Sequence, residues 1–222
     1  MSVTIAAGGP PATADEKLMS LLRNEILAAR EMAKSLSSLL TSGAGAEPRA
    51  ASAEIGEQKK HAERIQQEFL SYFSRIAPSL YTREEWLGIF SKIGGIVDKL
   101  GGLAHRIEFL LAKPWESPPP LRDLLTKMTT LLVSMMDSYL AMMNSALVNR
   151  DRALEARGKI SSYEKEMDSL YREAIFSTLE SKLPAHIMFL LLNIAEMIED
   201  TADLLNSSAD DLYLITIYST TS

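Results

Sequence analysis

No cysteine occurs anywhere in the chain. That absence removes disulfide frameworks, zinc–thiolate sites and thiol catalysis together, and an unstapled chain of this kind suits the cytoplasm. Nor do basic residues predominate: 23 Lys and Arg stand against 29 Asp and Glu, a formal charge of −6. Such a balance repels a phosphate backbone, so nucleic acid is not an expected partner. Phosphate-cradling loops are missing as well, with no Gly-x-x-x-x-Gly-Lys and no Gly-x-Gly-x-x-Gly behind a strand, which argues against ATP or dinucleotide chemistry. Residues 1–14 carry neither a basic start nor an apolar run of signal-peptide length and are expected to form a disordered tail. The most apolar stretch, 128–148, is interrupted by Asp137 and follows Arg122, Asp123 and Lys127. It reads as a buried central helix rather than a membrane span, so no direct membrane insertion is expected.

What the chain does have is 46% hydrophobic residues over 222 positions, enough for a proper core. Ala, Leu, Met, Glu, Lys and Arg fill its long segments, the composition of good helix formers. Leu18, Leu22, Ile26, Ala29, Met32, Ala33, Leu36 and Leu40 recur at three- and four-residue steps and predict a first helix over 15–40. Thr13 and Glu16 have the spacing of a capping box at its start. A Gly-, Ser- and Pro-rich break at 41–49 separates it from a second helix over 51–76, closed by Pro78. The third opens with Thr82 and Glu85, again at capping-box spacing, and ends at Pro114 and the run Pro118, Pro119, Pro120.

The second half repeats the plan with helices over 121–149, 151–181 and 184–207, followed by a tail that either prolongs the last helix or docks on the bundle. The expected fold class is therefore all-α: two tandem antiparallel three-helix bundles built from six long helices, over 15–116 and 117–222. Met128, Met135, Met136, Met142 and Met143 are read as core packing rather than as a ligand groove. The glycine pairs Gly94, Gly95 and Gly101, Gly102 lie seven residues apart and point to close approach of a neighbouring helix, with a local kink as the other reading.

Chemistry is most legible in the acids. Glu164 and Asp168 stand at i,i+4, as do Glu196 and Asp200, with Asp203 continuing along the same edge. Carboxylates so spaced lie one above the other on a helix and can share a ligand. If the last two helices pack side by side, four or five negative charges converge and require a cation or protons. A divalent or trivalent ion bound through oxygen is the natural compensation, and a solvated acidic face is the other reading.

The run from Tyr163 to Ala174, with Glu164 and Asp168, and the run from Ile194 to Asp203, with Glu196 and Asp200, resemble the Glu-x-x-x-Asp segments of PhoU-like phosphate-transport regulators and their Pit-transporter-associated relatives. The likeness covers about 51–206 and includes the Tyr81–Trp86 helix start. It implies an acidic motif on the second and third helix of each bundle, holding metal such as iron, zinc, nickel, manganese or magnesium. In the first half the pattern decays to a weaker second site: Glu57 is followed by His61, and Asp98 is preceded by Gly94. His105 and His186 read as structural.

The resemblance further implies a cytoplasmic, non-enzymatic regulator or accessory of inorganic phosphate uptake. Its partner would be a membrane phosphate transporter or its sensor, at the inner face of the membrane. Two alternatives stand beside it, a structural helical bundle without metal and a carboxylate-bridged di-metal enzyme. The second lacks the Glu-x-x-His pairs such sites add. The apolar tail residues Leu212, Leu214, Ile215 and Ile217 either mediate a homodimer or cover the bundle end.

Overall fold

The computed structural model describes residues 13–42, 48–113, 115 and 118–219. Six helices follow one another: α1 (Ala14–Ser42), α2 (Pro48–Ile76), α3 (Arg83–Leu111), α4 (Pro119–Ser145), α5 (Arg150–Leu179) and α6 (Ala185–Ser219). Among the described residues there is no strand. Residues 1–12 of the expected tail, most of the break at 43–47, and the expected junction at 114, 116 and 117 lie outside the described residues. Ala14, assigned to the tail by sequence, already belongs to α1.

Helix α1 starts as its sequence requires. Thr13 N donates to Glu16 Oε2 at 2.7 Å and Glu16 N donates to Thr13 Oγ1 at 3.2 Å, the two bonds of a capping box. The equivalent expectation at Thr82 fails, because the Thr82 side chain makes no capping bond. The start of α3 is fixed instead by Trp86, whose buried indole N–H donates to Asp15 Oδ1 at 3.0 Å. Helix α4 ends at Ser145, short of the expected 149, and Asn149 caps α5 by accepting from Arg152 N at 3.0 Å.

Within each half the three helices pack on one another, and the halves join along α1 against α4 and α3 against α6. These four central helices form one continuous core, with α2 and α5 on the flanks. The position explains the burial patterns. Helices α1 and α4 are apolar over a broad face, and Met128, Met135, Met136, Met142 and Met143 are all core residues. Helix α5 buries only a narrow seam of mostly small residues, including Ala153, Ala156, Ile160, Met167 and Ala174. Among the described residues no helix is long and apolar enough to cross a membrane.

Helix α6 runs twelve residues past the stop expected at 207, to Ser219. Leu205, Ala209, Leu212 and Ile215 keep the three- and four-residue step and stay buried. Two buried polar residues past that point are satisfied within the core: Ser208 Oγ lies 2.7 Å from Tyr139 Oη, and Thr216 Oγ1 donates to Leu212 O at 2.9 Å. The tail thus prolongs the helix and covers the bundle end through Leu212 and Ile215.

Close approach explains the glycines. A Cβ on Gly95 would lie 3.3 Å from Leu204 Cδ1, and one on Gly102 would lie 2.9 Å from Met197 Cε. Both neighbours belong to α6, whereas Gly94 and Gly101 face Gln66 and Lys59 of α2. Bare backbone lets α3 nestle between two helices, and basic side chains on its flank bond α6 at heptad intervals. Lys92 Nζ donates to Asp211 Oδ2 at 2.7 Å, Lys99 Nζ to Asp200 Oδ2 at 2.5 Å, and Arg106 Nε to Asn193 Oδ1 at 2.5 Å.

Candidate metal centre

Helices α5 and α6 run antiparallel with a seven-residue register. Arg157 bonds Asp210 through two N–H groups, Glu164 faces Asp203, and Tyr171 lies within the field of Glu196. The acids fall where this register places them beside the apolar seam: Glu164 is one turn beyond Ile160, Asp168 follows Met167, and Asp203 follows Ala202. Flanking a buried seam costs carboxylates part of their hydration.

Glu164, Asp168 and Asp203 each offer one carboxylate oxygen, and the three atoms lie within 4.8 Å of one another. Among the described residues no Lys or Arg is within ion-pair distance of Glu164 or Asp203. Arg172 reaches only Asp168, from one side, with Nη1 3.6 Å from Oδ2. Burial first, then the charges of Asp168 and Asp203, raise the Glu164 carboxyl above its ordinary range, although Lys165 and Arg157 oppose the shift. Asp203 is raised for the same reasons, by burial and then by Asp168 and Asp200.

Sequence reasoning missed Glu199. It is half-buried between α5 and α6, and its carboxyl is pushed up to about 7, by burial first and then by Asp203, Asp200, Asp168 and Glu196. The signal was present, since Glu199 and Asp203 are themselves an i,i+4 pair. Which of Glu196 and Glu199 turns toward α5 depends on the rotation of α6 about its axis, and that is set by the buried row Ile194, Ile198, Ala202 and Leu205.

The other expected ligands are placed differently. Glu196 is exposed, outside the gathered group. Asp200 accepts from Lys99 instead, and a groove of about 520 Å³ lined by Lys99, Glu164, Asp200, Asp203, Ser207 and Asp210 runs past the cluster. In the first half the structure does not bring Glu57, His61 and Asp98 together. Glu57 is exposed and bonded by Lys60 at 2.7 Å, which lowers its carboxyl pKa. His61 faces solvent, and Asp98 is paired with Lys59 at 2.8 Å. Among the described residues no acidic group gathers there. His186 is exposed and packs edge-on against Trp115, with ring centroids 5.2 Å apart.

An all-oxygen donor set of three convergent carboxylates fits a hard or borderline cation, as magnesium, manganese or iron, and it lacks the thiolates a soft metal prefers. The raised Glu164 and Asp203 carboxyls agree with this, because burial and then neighbouring acids make both anions less stable.

No protein-family model matches the chain, and no curated protein matches it. Solved structures do, among them two PhoU-like proteins. One is a PhoU-like phosphate regulatory protein from Shewanella oneidensis MR-1, with a TM-score of 0.73 at 15% identity, covering 90% of this chain and 99% of the other. The second is a PhoU-like protein from the same organism, also at TM-score 0.73, with 16% identity and the same coverage. At such identity the likeness is one of fold: the chain has the all-helical PhoU-like fold.

Proposed function

We propose that the protein is a non-enzymatic regulator or accessory of inorganic phosphate uptake that binds a metal ion between α5 and α6. It docks from the cytoplasm on a membrane phosphate transporter or its sensor. The observation that carries the metal is the meeting of Glu164, Asp168 and Asp203 within 4.8 Å. Phosphate regulation rests on the shared fold with a PhoU-like phosphate regulatory protein and on the paired acidic motifs. Fold alone does not carry function, so the two parts are tested apart.

Elemental analysis of protein purified without chelator tests the first. The wild type retains metal and a Glu164→Gln, Asp203→Asn variant loses it; equal contents in both dismiss the site. Affinity capture from detergent-solubilised membranes tests the second, with a phosphate permease or its sensor as the expected catch and its repeated absence as the contrary result. A metal-free bundle is the second reading, favoured by the Lys99–Asp200 and Arg172–Asp168 pairs, which supply part of the counter-charge. The elemental analysis separates the two.

A further inference from the structure

We propose that Lys99 sets how many carboxylates the α5–α6 site can offer, by holding Asp200 out of the Glu164, Asp168, Asp203 group until a cation draws it in. The inference rests on the metal reading above and concerns what governs loading. Asp200 lies three residues before Asp203, on the same edge of α6. Residues so spaced on a helix are surface neighbours, so both carboxylates can serve one ion. In the structure Asp200 turns away to α3, where Lys99 Nζ donates to its Oδ2 at 2.5 Å. The ammonium and three of the acids, Glu164, Asp200 and Asp203, line a single groove.

The competition favours the ion. The Lys99 and Asp200 side chains are 31% and 44% exposed, and ion pairs open to water to this degree are weak. A divalent cation carries twice the charge of an ammonium and is held by several carboxylates at once. In the first half Asp98 on α3 is also taken up by a lysine, although Lys59 comes from α2 of the same half. Lys99 belongs to α3 and Asp200 to α6, so loading also releases one of the basic bridges, Lys92, Lys99 and Arg106, that tie α3 to α6.

Isothermal titration of the full chain with Mn²⁺, and separately with Zn²⁺, tests this on the wild type and on Lys99→Met, Lys99→Arg, Asp200→Asn and the Lys99→Met, Asp200→Asn double variant. Met keeps the stem of Lys99 without its charge, and a Tm for each protein checks that it is folded. Lys99→Met is expected to bind about fivefold more tightly than wild type, the scale of a partly exposed ion pair, with Lys99→Arg within about twofold. In the Asp200→Asn background the gain from Lys99→Met is expected to vanish. An unchanged or weaker Lys99→Met overturns the inference while leaving the metal site standing. A gain of equal size in both backgrounds also overturns it, because charge repulsion without recruitment of Asp200 then suffices. No binding by any of the proteins removes the metal reading and this inference with it.

Discussion

Gln66 on α2 donates through Nε2 to Oε1 of Glu25 on α1, 2.7 Å away, and Glu25 is a wholly buried carboxyl whose Oε2 has no hydrogen-bond partner. Gly94 makes room for the contact, since a Cβ there would stand 3.2 Å from the same amide nitrogen. Burial raises the Glu25 pKa from 4.5 to about 7, against the opposing effect of the Gln66 bond. A carboxyl raised on folding holds its proton longer in the folded chain than in the unfolded one. Its stabilising contribution is therefore full below 4.5 and lost as the pH climbs to about 7. Urea unfolding at pH 8 should find Glu25→Gln more stable than wild type by about 3 kcal/mol, with the difference small at pH 5. A pH-independent difference would place the carboxyl outside the core.

Glycines at helix interiors separate by what surrounds them. Gly56 and Gly158 have nothing within 4 Å of a would-be Cβ, so alanine there should stabilise by about 0.5–1 kcal/mol through backbone entropy alone. At Gly88 the added carbon would collide with Asp211 Oδ2, which accepts from Lys92. Gly88→Ala should fall below Gly158→Ala by about 1 kcal/mol as that bond is lost. Denaturant midpoints with unchanged m-values check the ranking.

Tyr139 and Ser208 tie α4 to α6 through a bond made wholly in the core. Removing one partner strands the other. Ser208→Ala and Tyr139→Phe should each cost about 1–3 kcal/mol, and the double variant should cost less than the sum of the two. A double-mutant cycle by chemical denaturation measures the coupling; strict additivity would mean that no bond exists.

The helices were legible because burial imposes a 3.6-residue period that survives in α1 as Leu18, Leu22, Ile26, Ala29 and Leu36. The close-approach reading of Gly95 and Gly102 was legible for the same reason, as a heptad on one helix. The end of α6 was not. Asn206, Ser207 and Ser208 look like a stop until Tyr139, 69 residues away in the chain, supplies the partner for Ser208. Glu25 stands within an apolar stripe, but only packing shows that it is buried with Gln66.

The site divides along the same line. The Glu164–Asp168 spacing belongs to one helix and could be read from sequence. Asp203 was also read as continuing that edge, but the exclusion of Glu196 from the group, the burial of Glu199 and the diversion of Asp200 to Lys99 depend on how α3, α5 and α6 are rotated against one another. Intervals along the chain do not encode that rotation. In the first half Glu57, His61 and Asp98 keep recognisable positions, yet Lys60 and Lys59 take up the acids individually.

One cation held among Glu164, Asp168 and Asp203 is the central expectation. Anomalous diffraction at the manganese edge from crystals soaked in Mn²⁺ should give a peak roughly 2.0–2.5 Å from oxygens of Glu164, Asp168 and Asp203, the span of hard-cation coordination. A map with no peak in the α5–α6 groove, or with one only beside Glu57, His61 and Asp98, would contradict it.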